Sequence, residues 1–254
     1  MNKKFMRALA FLMVLLLATG PVGFSANFKD ISNHWAKDSI TTWADRGVVN
    51  GKSASVFAPD SNVTRGEFAK MINKAFGFSK GTSRNYSDVA GKWYANEASI
   101  AKAAGYYAWL NSNTFNGDSA LTRQEVMAIL VSVMEYPLTD DYSVIRRFAD
   151  YSSLNSKFGS YVATAVEHGI TKGVQENGKY YLKPFDSVTR AQAMTMLDRV
   201  AGEYADVADT VYGGTKEKIT GNFTVTKGNV TVSNKIITGD MHIAAGVGEG
   251  DVTL

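Results

Sequence analysis

The sequence predicts a mainly α fold: three helix-loop-helix repeats in a pseudo-threefold bundle, followed by a small C-terminal β segment, readable as the start of a parallel β-helix. Three observations predict it. A set of landmark residues recurs along the chain. The same capping signature and apolar stripe follow each set. After residue 202 the hydrophobic period changes from that of a helix to that of a strand.

The chain has 254 residues, 45% hydrophobic and 20% charged, a composition that fills a core and excludes wholesale disorder. Its net charge of +3 comes from Lys3, Lys4 and Arg7; the rest holds 24 basic and 24 acidic residues. The pI of 8.9 is therefore no argument for nucleic acid, and no nucleic-acid partner is expected. With no cysteine, disulfides, thiolate metal sites and a cysteine nucleophile are excluded. Residues 1–25 read as a secretory signal peptide: a basic head, an apolar run from Ala8 to Ala18, then small residues up to a cleavage point after Ser25. The alternative is an uncleaved N-terminal anchor. The run is about half of the ~20 residues a spanning helix needs. No membrane span is expected after cleavage; if the exported protein stays on the cell, it must hold on non-covalently.

The first repeat, 27–79, runs from Phe28 and Asp30 through His34, Trp35 and Gly47 to Thr64, Arg65 and Glu67. The second, 85–137, runs from Tyr86 and Asp88 through Trp93 and Gly105 to Thr122, Arg123 and Glu125, at a constant offset of 58. The third, 147–202, runs from Phe148 and Asp150 through Gly169 to Thr189, Arg190 and Gln192, at offsets of 62, 64 and 67 from the second, so it carries small insertions. First helices are expected near residues 35–46, 93–104 and 156–168, ended by Gly47, Gly105 and Gly169. Second helices open on capping boxes, Thr64 with Glu67, Thr122 with Glu125 and Thr189 with Gln192. Behind them lie the stripes Phe68-Met71-Ile72-Ala75, Val126-Ile129-Leu130-Val133 and Ala193-Met196-Leu197-Val200. Units this short cannot each bury a core, so they should fold as one body.

Arg65, Arg123 and Arg190 stand just after an N-cap, where the helix already presents positive charge. Two readings follow: an anion site made of free amides and a guanidinium, or pairing with acidic neighbours such as the capping glutamates. Trp35 and Trp93 are equivalent, and each reads either as a stacking face for a sugar ring or as core. Asp30, Asp88 and Asp150 read either as acceptors for sugar hydroxyls or as caps on the turn beside them. His34, His168 and His242 share no spacing, so no metal site is expected.

These landmarks, Phe28-x-Asp30, His34-Trp35-Ala36, Gly47-Val48-Val49-x-Gly51, Phe57-x-Pro59 and Val63-Thr64-Arg65-Gly66-Glu67, resemble the surface-layer homology (SLH) repeat. The likeness is strongest in the first repeat, good in the second and weaker in the third. It implies a helical spindle that binds secondary cell-wall polysaccharide attached to peptidoglycan, often carrying pyruvate ketals, on a Gram-positive-type envelope. It further implies inter-repeat ligand grooves lined by Asp30, Trp35, Gly51 and Arg65, then Asp88, Trp93 and Arg123, then Asp150, Gly173 and Arg190. Two departures matter: Trp109 replaces Gly51 in the second repeat, which narrows that groove, and the third has Lys157 and Phe158 near the expected tryptophan and Gln192 for the glutamate.

Residues 203–214 read as a linker. In 215–254, Gly221-Asn222, Gly228-Asn229, Gly239-Asp240 and Gly250-Asp251 each precede an apolar-x-apolar triplet, which suits successive rungs of a parallel β-helix or a pair of ordinary hairpins. The pattern stops at Leu254 on a strand, as a truncated solenoid or a docking end would. Asp240, His242, Glu249 and Asp251 are too scattered for catalysis, so no catalytic residue, cofactor or metal is expected. The function expected is non-covalent anchoring of an exported protein; the alternatives are an anchored polysaccharide-degrading enzyme and an S-layer lattice subunit.

Overall fold

The computed structural model describes residues 27–254; the 1–25 leader lies outside the described residues. Six α-helices form the body: α1 Lys37–Asp45, α2 Arg65–Phe76, α3 Ala95–Ala104, α4 Arg123–Val133, α5 Gly159–Glu167 and α6 Arg190–Ala201. The first helix of each repeat stops where Gly47, Gly105 and Gly169 turn left-handed, with φ of 69°, 82° and 69°, a conformation only glycine adopts without strain. The second helices start on their capping residues. Thr64 accepts the Glu67 N–H while the Glu67 carboxylate accepts the Thr64 N–H at 3.1 Å. Thr189 and Gln192 repeat this, and Glu125 accepts both the N–H and the hydroxyl of Thr122.

The repeats are not self-contained. Each first helix packs against the second helix of the preceding repeat: α3 on α2, α5 on α4, and α1 back on α6. The last contact closes a ring. On its axis the backbone closes a second, smaller ring: Val63 N–H donates to Val188 O (2.9 Å), Val188 N–H to Leu121 O (2.9 Å) and Leu121 N–H to Val63 O (3.1 Å). All three side chains are fully buried, so these polar groups had to find partners inside. One hydrophobic core therefore serves all three repeats.

The insertion in the third repeat is an antiparallel hairpin, β1 Val174–Glu176 with β2 Lys179–Tyr181. Its two-residue turn is Asn177-Gly178, both at positive φ, the signature of a type I′ turn.

The C-terminal segment is a three-faced parallel β-helix rather than hairpins. Its strands are β3 Glu203–Ala205, β4 Val211–Tyr212, β5 Glu217–Ile219, β6 Phe223–Val225, β7 Val230–Val232, β8 Lys235–Ile237, β9 Met241–Ile243 and β10 Val252–Thr253. They stack in parallel as β3-β6-β9, β4-β7-β10 and β5-β8. The 203–214 stretch is not a linker: β3 and β4 are the first rung. This rung lacks the Gly-Asn corner that marks the later ones, so its period does not show in the sequence. The corners have a physical reason. Asn222 Oδ1 accepts the N–H of Asp240 one rung on (2.9 Å), and Asn229 Oδ1 accepts that of Asp251 (3.3 Å).

The β-helix docks on the bundle. Tyr204 enters the bundle core, its hydroxyl donating to Ala75 O at 3.1 Å and its ring meeting Trp43 edge-on at 5.1 Å. Asn222 and Thr224 donate to the last carbonyls of α6, Val200 O (2.8 Å) and Ala201 O (2.6 Å). Tyr136 stacks on His168 at 3.7 Å and donates to Asp240 at 2.9 Å.

Candidate functional site

The repeated aspartates clamp backbone. Asp30 accepts the N–H of Phe57 and Ala58, Asp88 those of Phe115 and Asn116, and Asp150 those of Leu182 and Lys183, all at 2.7–2.9 Å. The second residue of each pair, Ala58, Asn116 or Lys183, lies at φ of 60°, 52° or 50°, left-handed backbone that is costly for a side-chain-bearing residue. The aspartates thus cap, but a loop 27 to 33 residues away rather than the adjoining turn. Desolvation opposes charge on Asp30 and Asp88, yet the two accepted amides win and hold both carboxyls below the usual range.

The arginines also point into the neighbouring repeat. Arg65 Nη1 donates to Phe115 O (2.6 Å) and Nη2 to Glu125 (2.7 Å). Arg190 donates to Phe57 O (3.1 Å), Asn50 O (2.7 Å) and Glu67 (3.2 Å), over the Phe57 ring. Arg123 donates to Leu182 O (3.0 Å) and Thr171 Oγ1 (3.4 Å); among the described residues no carboxylate lies within 4.0 Å of it, because Gln192 stands where the partner glutamate would be. All three arginines are buried, and burial holds Arg123 and Arg190 below the ordinary guanidinium pKa. The free helix amides of the anion-site reading are occupied. The N–H groups of Arg65 and Gly66 donate to Ser119 and Gly117, those of Arg123 and Gln124 to Asp186 and Pro184, and those of Arg190 and Ala191 to Ser61 and Pro59.

This cross-repeat pairing regroups the residues picked out by the sequence. Arg190, Gly51 and Trp93, one from each repeat, share a groove of about 220 Å³ with Lys52, Glu67 and Lys70. Trp93 is 57% exposed there, and Lys70 Nζ lies 5.9 Å from its ring centroid. Gly51 is backed by Phe28, whose ring a Cβ would strike; Gly173 meets Phe148 in the same way. Arg65 belongs with the second repeat, where Trp109 stands in place of glycine. Trp109 is only 7% exposed and packs on Phe158 at 5.2 Å, with Lys157 Nζ 5.4 Å from its ring. That position is filled by the protein's own side chains. Arg123 belongs with Gly173. Trp35 is 65% exposed beside His34.

Lys52 and Lys70 escape sequence reasoning. Lys70 has one weak signal: the equivalent positions carry Ala128 and Thr195, so this cation is particular to the first repeat. Glu67 does triple duty, capping Thr64 and pairing with Lys52 and Arg190. Burial works against its charge, but the Lys52 hydrogen bond, the Thr64 N–H and Arg190 keep its carboxyl below the usual value.

Residues 27–69 and 147–194 match the S-layer homology domain family. The match takes in the first and third repeats and leaves out the second, so the third is closer to the family than its landmarks suggest. The chain is 28% identical over 236 residues to a surface-layer 125 kDa protein of Lysinibacillus sphaericus, covering 86% of this chain and 20% of that protein. It is 32% identical to an amylopullulanase of Thermoanaerobacterium thermosulfurigenes over 68% of this chain and 9% of that one. It is 26% identical to the S-layer protein sap of Bacillus anthracis, over 82% and 26%. It thus spans about a quarter or less of these relatives. Among solved structures, an undecaheme cytochrome from the S-layer of Carboxydothermus ferrireducens aligns with 67% of this chain and 22% of its own at 20% identity and a TM-score of 0.38, too distant to carry an argument. Among the described residues no helix is long and apolar enough to cross a membrane. The second repeat shares the caps, clamps and ring packing of the two that match, and the chain is an S-layer homology domain protein, associated with the cell surface through that domain.

Proposed function

We propose that the helical body anchors its protein by binding an acidic secondary cell-wall polysaccharide, such as one bearing pyruvate ketals, in the groove shared by Gly51, Lys70, Trp93 and Arg190. The observation that carries this is an exposed tryptophan beside a lysine that has no carboxylate within 4.0 Å among the described residues, in an open cleft holding three cations and one carboxylate. An indole face accepts the C–H face of a pyranose, and the surplus positive charge selects a carboxylate. Arg190 is buried and held by Phe57 O, Asn50 O and the Glu67 carboxylate, so it shapes the cleft, and Lys70 meets the ligand. The Gly173 side, where buried Arg123 lacks a counter-charge, is the second site. The position filled by Trp109 and Phe158 binds no glycan.

The described residues take no catalytic part in this reading: Asp240 is held by Tyr136, and His242 packs edge-on against Phe76. The anchor carries the β-helix directly on the end of its last helix. The test is binding to isolated cell walls, before and after mild acid removes their polymer. Lys70→Ala should lose roughly 10- to 100-fold in affinity, the worth of a charge-assisted hydrogen bond. Trp93→Ala should lose a comparable share, and acid-stripped walls should bind neither variant nor parent. A Lys70→Ala, Trp93→Ala double variant that binds walls like the parent would sink the proposal.

A further inference from the structure

The threefold pattern breaks in two places around the start of the third repeat, and both breaks border one cavity. Asp30 and Asp88 are 58 residues apart, but Asp88 and Asp150 are 62 apart. The run from aspartate to first helix is seven residues at Asp30–Lys37 and Asp88–Ala95, and nine at Asp150–Gly159. The extra chain folds as short 3-10 turns at Tyr142–Ile145, Tyr151–Ser153 and Ser156–Phe158. Between them lies a cavity of about 380 Å³, lined by Tyr142, Ile145, Arg146, Tyr151, Leu154 and Ser156 among others.

Its chemistry is uneven in a specific way. Ile145 is buried and Leu154 half-buried, whereas Tyr142 and Tyr151 are 39% and 43% exposed. Tyr142 is held in place: its hydroxyl meets Ser160 Oγ at 3.2 Å, and its ring lies over Gly159, where a Cβ would come within 3.1 Å of the hydroxyl. Asp141 fixes the same turn by accepting the Ser143 N–H at 2.8 Å. Arg146 has no carboxylate within 4.0 Å among the described residues. Concave sites of this size with an apolar floor and a few polar groups are characteristic of small-ligand binding, and tyrosines present both a stacking face and a polar tip.

We propose that this cavity binds one N-acetylated hexosamine unit of a glycan, apart from the grooves between repeats. The sugar ring lies on the tyrosine faces, the acetamido methyl on Ile145 and Leu154, and the acetamido carbonyl accepts from Arg146.

The experiment is an amide-resolved NMR titration of residues 27–254 with N,N′-diacetylchitobiose, and with cellobiose as the disaccharide lacking acetamido groups. Saturable shifts are expected in residues 142–159. Tyr151→Ala should weaken them roughly tenfold and Tyr151→Phe by no more than about twofold, as a lost ring face would. Trp93→Ala, which disables the groove between repeats, should leave them unchanged, so the two sites stand or fall separately. Equal response to cellobiose, shifts confined to the Trp93 groove, or no saturable shift in this segment would each overturn the proposal.

Discussion

Arg65 and Lys70 lie five residues apart on one helix and do opposite work. Arg65 is buried against Glu125 and Phe115, so Arg65→Ala strips the Glu125 carboxylate of its counter-charge, leaving it only its cap on Thr122, and leaves the Phe115 carbonyl without that donor. Breaking such a pair costs about 3–5 kcal/mol. Chemical denaturation should show a loss on that scale, and an unchanged midpoint would show that the pair is decorative. The clamping aspartates add a pH dependence. Asp30, Asp88 and Glu67 have folded pKa values below their ordinary ones, so they bind fewer protons folded than unfolded. Their contribution is fully present above the unfolded carboxyl values of about 4 and is lost as pH falls through the lower folded ones. Asp88→Asn should flatten the acid limb of a stability–pH curve below about pH 4; an acid limb identical to the parent's would refute the clamp's titration. At this scale the sequence shows which residues recur, because recurrence is a property of spacing. It does not show that each arginine faces the next repeat, because that depends on how the units close in space.

Helices were the legible elements. Thr64-x-x-Glu67 and its counterparts, the stripes behind them and the terminal glycines are local signals, and local signals set where a helix starts and stops. The ring was not legible, since nothing in a stripe says which stripe it meets. The first rung of the β-helix was missed because Glu203-Tyr204-Ala205 is shaped by the bundle it packs on rather than by the Gly-Asn corner. The Asn177-Gly178 hairpin did carry a readable signal. Two predictions belong here. A chain trimmed to residues 85–202 lacks α1, which leaves α6 uncovered and the ring open. It should show no cooperative thermal transition by circular dichroism, whereas a sharp transition would mean that two repeats suffice. Tyr204→Ala removes the ring that joins Trp43, Arg46 and Ala75 to the first rung. Truncating a buried aromatic costs about 3–5 kcal/mol, so limited proteolysis should then cut within residues 203–214. Cleavage elsewhere first would place the joint wrongly.

Across the whole molecule, burial thins out along the β-helix. Phe223 and Val225 are buried, while Ile243 and Leu254 in the last rung are 48% and 80% exposed. Solenoid stability passes from neighbour to neighbour; Tyr204, Asn222, Thr224, Asp240 and His242 tie one side of the β-helix to the bundle, while among the described residues β10 is joined only to β7. Amide hydrogen exchange should therefore be fastest in β10 and slowest on the axis at Val63, Leu121 and Val188; the reverse order would contradict that gradient. The closed ring has a mechanical consequence. Any module carried beyond the β-helix would pull on the body through Gly202, at the end of α6. In an open row of repeats that load would peel off the terminal unit alone. Here α6 is gripped by α1, and the Arg190 guanidinium is fastened to Asn50 and Glu67, so tension on one end of the chain is shared at once with the other end. The first repeat acts as the clasp that keeps the last from unzipping under drag.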